Sequence, residues 1–136
     1  ADGTFPTAAI GDVAAYIFHS NMAKLRHADG VIANLEPFRG TEPDSGTVFE
    51  VGVAVAMGLP VVGYGVSGTY AERVKRQLQV VQMNGELRDS NDRLVEDFGL
   101  PLNLMLACSV IIERTAVDAL VTLALLFKTL TPKGAS

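Results

Sequence analysis

Apolar residues recur along the chain in two rhythms. Short unbroken runs at 31–35, 61–65 and 109–112 have the length and composition of strands buried in a parallel sheet. Between them lie segments with apolar side chains at helical spacing. Val13, Ile17, Phe18, Met22 and Leu25 fall on one side of a helix that Asp12 could cap and that runs to about His27. Asn21 lies on that same side, where an amide needs a core hydrogen bond or a neighbouring cavity. A second helix is predicted over 47–57, stopped by Gly58-Leu59-Pro60, and a third over 69–81 with Arg73, Lys75 and Arg76 on its wet face. Thr115 can cap a last helix ending near Leu130, with Asp118 in capping-box position. Residues 1–9 and the tail at 132–134 read as irregular, and 82–98 are polar and mixed, with no assignment. Strands alternating with helices predict one α/β domain over 1–136 with a parallel sheet.

Composition narrows the function. The 136 residues are 49% apolar, enough to bury a core. A net charge of −4, with scattered basic residues, gives no electrostatic reason to expect nucleic-acid binding. The longest apolar stretch, 116–127, contains Asp118 and is too short to span a bilayer. The N-terminus shows no signal peptide, and the single cysteine, Cys108, suits a reducing compartment, so a cytoplasmic location is expected. Cys108 lies in an apolar run and reads as a buried, inert thiol. His19 and His27 lack zinc-site spacing, and no phosphate-binding glycine loop or nucleophile elbow is present.

Ligands of parallel sheets bind beyond the carboxyl ends of the strands. The loop at 36–46 leaves that end of the first strand and is long for a strand-to-helix connection. Glu50 follows it, in the first turn of an otherwise apolar helix. Two readings compete. In Thr47-x-x-Glu50 the carboxylate completes a capping box. Alternatively it is a nucleophile: carboxylates are charged at neutral pH without a base, and a helix N-terminus favours that charge. Such a group suits attack on an anomeric carbon. Asp44, a second carboxylate, would cap the helix or face the same cleft.

These residues resemble a known family. Asp29-Gly30-Val31-Ile32-Ala33-Asn34-Leu35, Pro37-Phe38-Arg39-Gly40, Glu42-Pro43-Asp44 and Gly46-Thr47-x-Phe49-Glu50-Val51-Gly52 look like the nucleoside 2-deoxyribosyltransferases. The Pro-Phe-Arg-Gly loop is most like the branch of kinetoplastids and some bacteria, and Phe98-Gly99-Leu100-Pro101-x-Asn103-Leu104-Met105-Leu106 resembles a second signature. The similarity runs from about residue 12 to the end.

The resemblance implies a flavodoxin-like (Rossmann-like) three-layer fold and cofactor-free, metal-free exchange of bases on 2′-deoxyribonucleosides in nucleotide salvage. Free nucleobases would be the second substrate, and a homo-oligomer with sites shared between subunits is expected. It makes Glu50 the nucleophile and places Asp44 on the deoxyribose. Gly46 belongs to the substrate site, and Asn103, with Met105, reaches in from a neighbouring subunit. Phe38 and Arg39 suggest stacking and polar contact with a purine, or they order the loop. Asn21 stands where several members have an aspartate near the base. An amide cannot protonate a purine, which leaves Asp44 or water as the general acid. The family's N-terminal strand is expected to be absent from this chain, either removed or supplied by a partner. The alternatives are hydrolysis of the N-glycosidic bond of deoxynucleosides or deoxynucleotides, and a non-catalytic nucleoside-binding module.

Overall fold

The apolar runs beginning at Val31, Val61 and Ile111 pair into one parallel sheet, as runs joined by helical crossovers and not by hairpin turns do. The computed structural model describes residues 10–130; the loop expected over 1–9 and the tail at 132–134 lie outside them. In chain order the elements are α1 (Ile10–His27), β1 (Val31–Asn34), α2 (Ser45–Ala56), β2 (Val61–Tyr64), α3 (Tyr70–Gln77), β3 (Val80–Met83), β4 (Glu86–Asp89), β5 (Leu94–Val95), α4 (Leu104–Ala107), β6 (Ile111–Glu113) and α5 (Ala116–Leu130). The parallel sheet has the order β1-β2-β6, with Val31 beside Val61 and Val62 beside Ile111. Leu35 lies beyond β1, but its N–H still donates to Tyr64 O at 2.9 Å.

Helices cover both faces of the sheet, which makes three layers of the flavodoxin-like kind. On one face Leu35, Val51 and Ala54 form the largest core cluster with Ala33, Val61, Leu102 and Leu106. On the other, Ala119 and Leu123 of α5 close over Val62. Full burial of a side chain such as Val62 is worth about 1.5–3 kcal/mol. The strand faces therefore supply much of the stability, and the loops at their ends are free to carry chemistry.

Several expectations are corrected. The stretch without an assignment, 82–98, belongs to a second sheet, the antiparallel meander β3-β4-β5. The helix expected over 69–81 ends at Gln77, and Val80 and Val81 pair with Asp89 and Arg88. Ala71 and Val74 pack against Leu87 and Val95, so the meander has its own small core on α3. The strand expected over 109–112 is Ile111–Glu113. Asp12 lies in the first turn of α1, which begins at Ile10, so it meets the positive end of the helix dipole without capping it. Cys108 is exposed, because it follows the single turn of α4 on its outer side. Arg73 is not on the wet face of α3: it is 4% exposed.

Candidate active site

The loop after β1 ends in Pro43-Asp44, and Asp44 caps α2. Its backbone is extended (φ −56°, ψ 129°), and its Oδ2 accepts from Thr47 N at 3.0 Å and Thr47 Oγ1 at 3.2 Å. The capping box expected between Thr47 and Glu50 is therefore not formed: Thr47 donates to the cap and is not itself one. A full box does form elsewhere, between Thr69 and Glu72 at the start of α3. Thr115 Oγ1 accepts from Asp118 N at the start of α5.

Freed from capping, Glu50 is half-buried and lines a cavity of about 160 Å³ between α1 and α2. Phe18, Asn21 and Met22 come from α1, and Gly46 and Phe49 from α2. The phenyl rings of Phe18 and Phe49 lie 6.2 Å apart in a tilted pair. Asn21, on the apolar stripe, thus faces a cavity, and its amide shares that cavity with one carboxylate.

Gly46 is close to both carboxylates. It lines the Glu50 cavity, and a Cβ there would lie 3.2 Å from Asp44 Oδ2. Asp44 is therefore held at the mouth of α2, next to the cavity that Glu50 lines.

The other expected residues lie apart from this cavity. Asn103 and Met105 line a larger space, about 570 Å³, against Ser45, Val48, Gly52 and Val55 on a different face of α2. Asn103 caps α4: its Oδ1 accepts from Met105 N at 2.9 Å and its Nδ2 donates to Glu96 Oε1 at 2.7 Å. Met105 is 72% exposed. Phe38 and Arg39 stack on each other, the guanidinium 4.7 Å from the ring centre, in a loop closed by Phe38 N donating to Glu42 O at 2.7 Å. Arg39 takes a left-handed backbone (φ 54°) there.

Sequence reasoning missed four residues here. Phe49 and Phe18 wall the Glu50 cavity; Phe49 was visible as the residue before Glu50, and Phe18 as a neighbour of Asn21 on the stripe. Glu42 and Glu96 hold the loop and the α4 segment. Tyr70 Oη donates to Glu42 Oε1 at 2.6 Å, and Glu96 Oε2 accepts from Leu104 N at 3.0 Å. Burial, the Glu42 hydrogen bond and nearby carboxylates push the Tyr70 phenol above the ordinary tyrosine range, which keeps it a donor. No local pattern marks either long-range contact.

Gly65, at the carboxyl end of β2, sets the spacing of the two loops that meet there. Its φ is +88°, and a Cβ would come within 2.5 Å of Glu36 Cγ and 3.1 Å of Asn34 Oδ1. Among the described residues no group of three or more His, Cys, Asp or Glu side chains could hold a metal ion, and no helix is long and apolar enough to cross a membrane.

Comparison with known proteins bears on the family and the fold. Residues 4–105 match the family model described as nucleoside 2-deoxyribosyltransferase. A solved structure, 2-desoxiribosyltransferase from Leishmania mexicana, superposes with a TM-score of 0.62 at 31% identity, over 80% of this chain. The chain spans 66% of that protein's length. No curated protein matches. A family match across most of the chain is decisive: the chain belongs to the nucleoside 2-deoxyribosyltransferase family.

Proposed function

We propose that the protein moves a 2-deoxyribosyl group between nucleobases by double displacement through Glu50. The observation that carries this reading is the Glu50 carboxylate, free of any capping role, in a cavity it shares with Asn21 and two aromatic rings. In the first half, a Glu50 oxygen bonds to the anomeric carbon as its bond to the base nitrogen breaks. The bonding electrons leave with the base, which takes a proton from water. In the second half, a nitrogen of the incoming base attacks the same carbon, Glu50 departs as a carboxylate, and the incoming base loses its proton to water. Asp44, an acceptor pinned at the helix start, suits the hydroxyls that deoxyribose presents. The Asn21 amide can donate to and accept from a base edge.

The cavity holds only part of a nucleoside: its volume is below the roughly 300–1,000 Å³ of ordinary ligand pockets. Asn103 and Met105 line a different space from Glu50 in the same chain. The family resemblance implies that they serve a nucleoside site, and we read that contribution as made to a second copy, in a homo-oligomer with shared sites.

The test is incubation with deoxyinosine and free adenine, with products separated by chromatography. Formation of deoxyadenosine is expected. Hypoxanthine with free deoxyribose makes the protein a hydrolase acting through the same intermediate, and no change makes it a binding module.

A further inference from the structure

Arg73 is a buried cation without a carboxylate within ion-pair distance among the described residues. Its guanidinium meets backbone carbonyls instead. Nε donates to Thr41 O at 3.3 Å, Nη1 to Ser67 O at 3.3 Å, and Nη2 to Pro101 O. The Tyr70 ring lies 5.9 Å beneath it. Burying a guanidinium is costly, and an apolar side chain of similar volume is often as good or better for stability. Desolvation lowers the Arg73 pKa, with Glu42 opposing that shift. A charge kept under those terms fixes geometry.

The geometry it fixes is specific. Thr41 lies in the loop that carries Phe38, Arg39 and Asp44; Ser67 lies in the loop after β2; Pro101 lies two residues before Asn103. Tyr70 reinforces two of the three segments, through Oη to Glu42 and through its N–H to Leu100 O at 2.8 Å. A planar fork with five N–H donors can hold three carbonyls in three directions; an ammonium is a point donor on a flexible stem. Arg73 does not line the Glu50 cavity.

We propose that Arg73 is a positioning residue of the nucleoside site, locking the loops after β1 and β2 and the segment before α4 in one relative arrangement without touching substrate. The assignment to a nucleoside site rests on the base-exchange reading above; the lock itself does not.

The test uses the full chain in wild-type, Arg73→Met and Arg73→Lys forms, with Arg88→Met as control. Arg88 is an exposed arginine whose bonds, to Glu86 and Asp92, stay within the meander. Hydrogen exchange without substrate is read first. The amides of Phe38 and Tyr70 should lose protection by about tenfold or more in Arg73→Met, while those of Ala33 and Gly63, inside the parallel sheet, keep theirs. Arg73→Lys should fall between, and it carries the test alone if Arg73→Met does not fold. Steady-state exchange of bases is read second. KM should rise about tenfold with kcat within about threefold, the pattern for lost binding without lost chemistry. Unchanged protection of the loops, or an equal loss across loops and sheet, overturns the lock. Selective loss of protection with an unchanged KM overturns its link to the substrate. If wild type shows no turnover, the base-exchange reading fails, and the exchange data still decide the lock.

Discussion

Two faces of α2 border spaces of unlike character. Toward α1, Gly46, Phe49 and Glu50 close on about 160 Å³ with one amide and one carboxylate inside. Toward α4, Ser45, Val48, Gly52 and Val55 border about 570 Å³ lined mainly by apolar side chains. One helix thus borders a small cavity with polar groups in its wall on one side and a larger, mainly apolar one on the other. The turn of Ser45–Ala56 that caps on Asp44 serves both, because its first residues lie beside each space. What the difference teaches is that a substitution on α2 should affect either turnover or stability according to its face.

Glu50→Gln should break the comparison most deeply on the chemical side. Base exchange is expected to fall by about 10³-fold or more, since an amide cannot serve as the nucleophile. The thermal midpoint should move by no more than about 2 °C, because Asp44 and not Glu50 caps the helix. Near-normal turnover would remove Glu50 from the mechanism.

The next effect sharpens the contrast between chains. Glu50→Ala and Asn103→Ala should each be nearly inactive, and mixing them under subunit exchange should restore roughly a quarter of wild-type activity for a dimer. Half the dimers are then mixed, and each has one intact site of two. Exchange confirmed by mass with no recovery means that Asn103 acts within its own chain, as the cap of α4 alone.

The smallest effects belong to the packing side. Val51 is 1% exposed, and Val51→Ala should cost about 2 kcal/mol in denaturant unfolding. Asp44→Ala should cost about 1 kcal/mol as a lost cap. The two should differ in turnover: Val51→Ala keeps kcat in the folded fraction, and Asp44→Ala loses activity beyond its loss of stability. Equal kinetic damage from both would erase the distinction between the faces.

The sheet was legible because β1 and β2 are short, mainly apolar runs whose composition depends on little beyond their own residues, although only β2 is buried along most of its length. Glu50 was legible by its isolation in an apolar helix, but its freedom from capping was not, since Asp44 caps the helix three residues before the cap expected at Thr47. The meander carried a signal that went unread. Asn84-Gly85, with φ of 53° and 79°, is the two-residue hairpin turn that joins Met83 to Glu86. The mainly exposed, polar strands beside it hid the period. Arg73 was unreadable locally: in sequence it groups with Lys75 and Arg76, and only the loops folding over it make it buried.

That meander also bears on the order in which the chain folds. Its pairings lie between near neighbours in sequence, and hairpins of this kind form in about 1–10 μs. The parallel sheet is slower, because Val31 must find Val61 and Val62 must find Ile111 across intervening helices. The meander and α3 can therefore assemble first as a nucleus. Pulse-labelled exchange during refolding should protect Val81 and Arg88 before Ala33 and Gly63; the reverse order would place the nucleus in the sheet. With the meander leading, Glu96 is in place before Asn103 arrives, and the last part of the molecule to be organised is the parallel sheet with the loops at its ends.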